Sequence, residues 1–91
     1  MNKADLIDAV AGATGESKAT VGRVVDATLD TITGALQTGD KVTFTGFGTF
    51  ERRHRAARMG RNPQTGDPVQ IKAANVPAFK AGKGLKDAVN V

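Results

Sequence analysis

Between Arg52 and Arg61 the chain carries five arginines and one histidine in ten residues, with no acid among them. Burying unpaired charge is prohibitively costly, so this stretch must lie outside any core and face a polyanionic partner. Its flanks say how it is held. Gly46-Phe47-Gly48-Thr49-Phe50 precedes it as a corner that glycine permits. Asn62-Pro63-Gln64-Thr65-Gly66 follows it as a turn, after which Asp67-Pro68-Val69-Gln70-Ile71-Lys72 runs back. A turn at Pro63-Gln64-Thr65 pairs residues 52–61 with 67–76 in a long hairpin. At ~3.3 Å per residue such an arm reaches about 30 Å, beyond any body that this chain could fold behind it.

The rest of the chain must build that body. Asn2 is placed to cap a first helix, with Asp5 in its first turn and Leu6, Ile7, Val10 and Ala11 on one face; Gly12 to Gly15 ends it. Ser17 caps a second helix whose stripe is Val21, Val24/Val25, Thr28/Leu29, Ile32 and Leu36, and Gly39 stops it. Gly22 and Gly34 inside that helix each cost about 1 kcal/mol relative to Ala, so packing must hold it or they mark close helix approach. The period then changes to two. Val42 and Phe44 alternate with Lys41, Thr43 and Thr45 as a half-buried strand, and Thr49-Phe50-Glu51 begins its partner. On the return strand Val69, Ile71 and Ala73 share a face, Pro77 is expected to stop the ladder, and Lys83 to Val89 form a closing helix with Leu85 and Val89 inward. The four phenylalanines read as core, and His54 reads as a surface residue of the arm.

Charge is divided along the chain. Residues 1–50 hold four basic and six acidic side chains and residues 51–91 hold nine and three, giving −2 and +6 within the net +4. That asymmetry favours an anionic polymer or membrane surface. With the arm set aside, the residues left make a marginal core for a monomer. A two-fold dimer sharing one core is the economical solution.

The chain has no Cys, one His and one Ser, so no nucleophile–base pair, thiolate metal site or disulfide is expected, and no cofactor. No run approaches the ~18 apolar residues of a membrane span, and the start lacks a basic-then-apolar leader. The expected place is the cytoplasm. A helix-turn-helix regulator built on residues 3–13 and 18–37 is disfavoured, because Asp26 and Asp30 against Arg23 would repel phosphates from the second helix.

Gly46-Phe47-Gly48-Thr49-Phe50, Arg55, Arg58, Gly60 and Arg61-Asn62-Pro63-Gln64-Thr65-Gly66 resemble the bacterial histone-like HU/IHF family. The likeness runs from Met1-Asn2-Lys3 through Ala74-Asn75-Val76-Pro77-Ala78-Phe79 to Leu85-Lys86-Asp87-Ala88-Val89. The resemblance implies an α+β fold: two N-terminal helices, a three-stranded antiparallel sheet with a long β-ribbon arm, and a short C-terminal helix, in an intertwined homodimer. It implies one domain over 1–91, with a helical dimerisation part at 1–39, the sheet and DNA-binding arm at 40–77 and the closing helix at 78–91. Leu29, Ile32, Leu36, Phe44, Phe47, Phe50 and Phe79 would form the dimer core.

The arms of that family wrap double-stranded DNA through the minor groove, and the tip proline wedges between base pairs. By motif match Pro63 is the wedge. Without the resemblance, proline followed by glycine is ordinary turn punctuation, and the two roles are compatible. Arg53, Arg55, Arg58 and Arg61 would line the arm, with Asn62 and Gln64 at its tip and Lys72 on the return strand. Lys3, Lys80, Lys83 and Lys86 would lie on the body beneath the DNA; a phosphate-contacting row is favoured over a solvated helix face, assisted by free N–H groups near Gly82-Lys83. Met59 reads equally as a second apolar contact or as exposed linker.

Nothing on the ribbon is tuned to base edges, so the expected function is architectural. A homodimer would bind and bend DNA with little sequence preference, favouring bent, nicked or flexible duplexes and compacting the bacterial nucleoid. The alternative is a sequence-selective bending subunit of the integration-host-factor type. Three departures from the family pattern stand out: Gly84, where a better helix former is usual, bulky Phe44, and the added arginine at Arg52 and Arg53.

Overall fold

The computed structural model describes residues 1–91 and divides them into two compact units, Met1–Gly34 and Ala35–Val91. In chain order the elements are α1 (Lys3–Thr14), α2 (Lys18–Gln37), β1 (Val42–Phe44), β2 (Gly48–Arg55), β3 (Arg58–Arg61), β4 (Pro68–Ile71), β5 (Ala74–Ala81) and α3 (Lys83–Val89).

The first unit is set by local chemistry. Asn2 Oδ1 accepts from the Asp5 amide at 2.9 Å while Asp5 Oδ2 accepts from the Asn2 amide at 3.0 Å, a reciprocal cap that satisfies two donors at the start of α1. Gly15 ends the helix with φ +76°, its amide donating to the Ala11 carbonyl. Ser17 Oγ then accepts from the Thr20 amide at 3.1 Å and starts α2. Ala11 and Val21 are buried, and a Cβ at Gly22 would lie 3.8 Å from Ile7 Cδ1, an ordinary van der Waals contact, so packing does not require glycine there. Gly34 meets nothing, and close helix approach does not account for it.

In the second unit β1, β2 and β5 form an antiparallel sheet in the order β1-β2-β5, while β3 and β4 pair separately. The β2/β5 ladder runs from Gly48 opposite Ala81 to Arg55 opposite Ala74, and the β3/β4 ladder from Arg58 opposite Ile71 to Arg61 opposite Pro68. Both ladders keep one register. The arm is therefore one continuous hairpin with an unpaired interruption at residues 56–57 and 72–73. The expected pairing of 52–61 with 67–76 is one residue out, and Ala73, expected on the return strand, falls in the interruption. Pro77 does not stop the ladder; it sits inside β5 opposite Arg52. It is tolerated because β5 is an edge strand, where a missing N–H need cost no bond.

Four aromatic rings pack on one another at the root of the sheet. Phe50 lies across from Phe79 with ring centroids 4.8 Å apart, and Phe44 and Phe47 stand edge-on to Phe50 and Phe79 at 6.3 and 5.7 Å. Within a single chain this cluster is not a closed core: Phe44, Phe47 and Phe79 are 42%, 51% and 41% exposed, and Leu29 of α2 is 51% exposed. Ile32, Leu36 and Phe50 are half-buried. Val89 is exposed rather than inward, whereas Leu85 is half-buried.

Helix α3 is docked backbone to backbone on the Gly46-Phe47 corner. The Gly82 amide donates to the Phe47 carbonyl at 2.7 Å and the Leu85 amide to the Gly46 carbonyl at 3.0 Å. A Cβ at Gly84 would lie 2.8 Å from the Gly46 oxygen, and one at Gly82 would lie 2.8 Å from the Gly46 carbonyl carbon and oxygen. Gly84 is thus more than a weak point in α3, because contact with Gly46 leaves no room for a larger residue. Of the free N–H groups expected near Gly82-Lys83, the Gly82 amide is taken by the Phe47 carbonyl.

Candidate nucleic-acid interface

Side chains alternate across a strand, so β2 sorts its own charges onto two faces. Thr49, Glu51, Arg53 and Arg55 share one face, and Phe50, Arg52 and His54 share the other. The first face continues across the ladders, since Thr49 stands between Thr43 of β1 and Lys80 of β5. Thr49 Oγ1 donates to Thr43 Oγ1 at 3.3 Å. The result is a polar sheet face bearing Lys80, Arg53 and Arg55, opposite the aromatic face.

That basic face contains one acid. Glu51 Oε1 accepts from Arg53 Nε at 2.9 Å and Nη2 at 2.8 Å, and Oε2 lies 3.7 Å from Lys41 Nζ. The Arg53 hydrogen bond holds the Glu51 carboxyl below its ordinary range against the opposing effect of burial, with Arg53, Lys41 and Lys80 adding electrostatic support. Reading the arginine run did not single out Glu51 or Lys41 as part of this face. The i, i+2 spacing of Glu51 and Arg53 was the available signal.

Past the interruption, Arg58 and Arg61 belong to β3. Arg58 makes no ion pair and is exposed. Arg61 closes the tip: its Nη1 donates to the Gly66 carbonyl at 3.0 Å. The tip is otherwise held by its own backbone and the Asn62 side chain. The Gly66 amide donates to the Asn62 carbonyl at 2.7 Å, the Asn62 amide to the Asp67 carbonyl at 2.9 Å, and the Gln64 amide to Asn62 Oδ1 at 2.9 Å. Gly66 has φ +75°, the left-handed conformation such a turn needs. Pro63 is thereby presented exposed at the apex of a turn whose polar groups are satisfied locally. Gln64 is exposed beside it, Asn62 is half-buried, and Met59 is 65% exposed on β3.

The expected lysine row divides between elements. Lys80 lies on β5, on the face of Arg53, while Lys83 and Lys86 lie on α3 and Lys72 in the interruption of the arm. Lys83 Nζ is 2.7 Å from Asp87 Oδ2, one turn on. Lys3 belongs to the first unit, where its Nζ donates to Asp26 Oδ1 at 2.8 Å; that bond and its charge hold the lysine above its ordinary pKa. His54 Nδ1 lies 3.2 Å from Asn75 Oδ1 across the β2/β5 ladder, on the face opposite Arg53.

Sequence and structural comparisons set this chain beside bacterial DNA-binding proteins. Residues 1–90 match the model of the family described as bacterial DNA-binding protein. The chain is similar to DNA-binding protein HU-beta of Pseudomonas aeruginosa, 59% identical over 90 residues that cover 99% of this chain and 100% of that one. It is 61% identical over 89 residues to DNA-binding protein HU of Geobacillus stearothermophilus, covering 98% and 99% of the two chains. Among solved structures, an Anabaena HU–DNA cocrystal structure matches with a TM-score of 0.92 at 49% identity, covering 99% of this chain and 98% of that one. HU from Thermotoga maritima matches at 0.70 and 38% identity, covering 99% of this chain and 100% of that one.

Proposed function

The chain belongs to the bacterial DNA-binding protein family, and from that premise we propose that it is an architectural protein that binds and bends double-stranded DNA as a homodimer. It is a binding protein and not an enzyme. The observation that carries the reading is the arm: one hairpin register, arginine at 53, 55, 58 and 61, and an apolar ring at a self-satisfied tip. Guanidinium groups suit phosphate and a narrow minor groove, and a proline held at a turn apex can enter a base step as a wedge. Arg53, Arg55, Arg58 and Arg61 line the groove, Pro63 kinks the duplex between Asn62 and Gln64, and Lys72, Lys80, Lys83, Lys86 and Lys3 meet phosphates.

Dimerisation follows from the apolar surface that one chain leaves uncovered. Leu29, Phe44, Phe47 and Phe79 are each more than 40% exposed, and an open apolar groove of about 350 Å³ runs between Met1, Leu6, Val25 and Leu29. Leu29, Ile32, Leu36 and the four phenylalanines are the residues a partner would cover. We assign all 91 residues to one DNA-binding domain, acting at the nucleoid in the cytoplasm. No helix is long and apolar enough to cross a membrane.

The test is binding to linear, nicked and cruciform duplexes at several salt concentrations, beside sedimentation of the free protein. Log K should fall steeply with log salt, with preferences of a few-fold at most between sequences and tighter binding to flexible duplexes. A flat salt dependence would remove the electrostatic premise. A thousand-fold preference for one sequence would move the chain to the sequence-selective branch.

A further inference from the structure

Arg52 opens the basic run yet points away from the rest of it. Alternation along β2 sets it on the face opposite Arg53 and Arg55. Its Nη1 donates to the main-chain carbonyl of Gln37, the last residue of α2, at 3.1 Å. The final carbonyls of a helix lack partners within it and form the negative end of its dipole. At this end the Ala35 carbonyl accepts from the Thr38 and Asp40 amides and the Leu36 carbonyl from the Gly39 amide. No basic residue lies in the last turn of α2. Arg52 therefore brings from a neighbouring strand the cation that this helix end lacks. Space is left for it: Gly39 has φ +84°, and a Cβ there would lie 2.9 Å from Arg52 Nη2.

The position on the strand gives this contact a consequence. The last β1/β2 pair is Val42 opposite Phe50, so from Glu51 onward β2 is supported by β5 alone. Arg52 grips α2 just past that point, where a three-stranded sheet becomes a two-stranded arm. All the atoms involved lie in the unit Ala35–Val91.

We propose that Arg52 is a positioning residue for DNA binding: a clamp from the root of the arm onto the C-terminus of α2, which sets where Arg53 and Arg55 point and does not itself contact DNA. The inference deepens the DNA-binding reading and rests on it.

Two variants test it in the full-length protein. Arg52→Met keeps the aliphatic stem and removes the guanidinium. Gly39→Asn keeps Arg52 but fills its place, with a residue that tolerates the left-handed conformation. In the free protein each should raise amide hydrogen exchange at Gly39, Asp40 and Arg53–Arg55 by about two- to fivefold, the range for one helix-terminal charge interaction. The double variant should add nothing further. On linear duplex DNA each should weaken binding by a similar factor with the slope of log K against log salt unchanged, whereas Arg53→Ala lowers that slope by about one. A slope lowered by about one in Arg52→Met, but not in Gly39→Asn, would show that Arg52 meets phosphate and overturn the proposal. Unchanged exchange in both variants, or additive effects in the double variant, would overturn the clamp. Exchange is read without DNA, so failure of the clamp and failure of the DNA-binding reading leave different signatures.

Discussion

The root and the tip of the arm both depend on glycine, for opposite physical reasons. At the root, Gly48, Gly82 and Gly84 have no room for a Cβ, which would meet the Phe79 ring, the Lys80 carbonyl or the Gly46 carbonyl. At the tip, Gly66 has open space around it and is fixed by its φ of +75°. The root is a packed object, specified by contacts between residues far apart in sequence. The tip is a local object, specified by one turn and by Arg61 reaching its carbonyl. Stability should therefore be concentrated at the root and DNA deformation at the tip, and substitutions in the two places should separate those properties.

The largest effect is expected at the root. Gly48→Ala drives a methyl into the Phe79 ring and to 2.8 Å from the Lys80 carbonyl, while cross-strand pairs to Phe44 and Ala81 fix the backbone on both sides. Overpacking of this kind costs about 1–3 kcal/mol, and at roughly 4–8 °C per kcal/mol for a domain this small the melting temperature should fall by about 5–20 °C. Calorimetry checks this. An unchanged melting temperature would mean that the root relaxes freely, and the contrast with the tip would fail.

That contrast also marks what the sequence could and could not disclose. The caps at Asn2, Gly15 and Ser17 act within a few residues, so both helices were legible. The arm was legible because an acid-free arginine run between two turn signals admits few other solutions. Its register was not: with polar side chains on both faces, no buried stripe distinguishes one pairing from its neighbour. Pro77 was misread because an edge strand is a property of strand order, which no local pattern states. Gly84 was misread because helix propensity is local, whereas the Gly46 carbonyl that excludes a side chain lies 38 positions away. In the candidate interface the arginines were visible by composition, but what each one does depends on its facing group. Arg52 faces a helix end, Arg53 faces Glu51, Arg61 faces its own turn, and Arg58 is unpaired.

Two substitutions sharpen the functional half of the contrast. Pro63→Ala leaves the hydrogen bonds of the tip in place and removes the apolar ring. It should reduce DNA bending, measured by energy transfer across a nicked duplex, more than it reduces affinity. Unaltered bending would leave Pro63 as a turn residue only. Arg58→Ala, at an exposed position without an internal partner, should lower the salt slope by about one and leave the melting temperature within about 2 °C of the parent. An unchanged slope would place the phosphate contacts elsewhere on the arm.

The smallest expected effect lies on the border between the two regions, at Glu51. Arg53 donates twice to this carboxylate, and Lys41 stands 3.7 Å away. The Arg53 hydrogen bond is the main cause of its depressed pKa, so the folded chain binds a proton there less readily than the unfolded chain does. Stability then rises with pH wherever the unfolded state binds more protons. The contribution is complete above the ordinary carboxylate value of 4.5 and is lost as pH falls through the lower folded value. The melting temperature of the parent should accordingly exceed that of Glu51→Gln by a small, constant margin above about pH 5, and the margin should close on acidification. High salt should shrink it at every pH, since Arg53 is well exposed and screening reaches the pair. A margin that persists unchanged to about pH 2 would mean that Glu51 acts through shape rather than charge. The boundary between root and arm would then be set by packing, like the root itself.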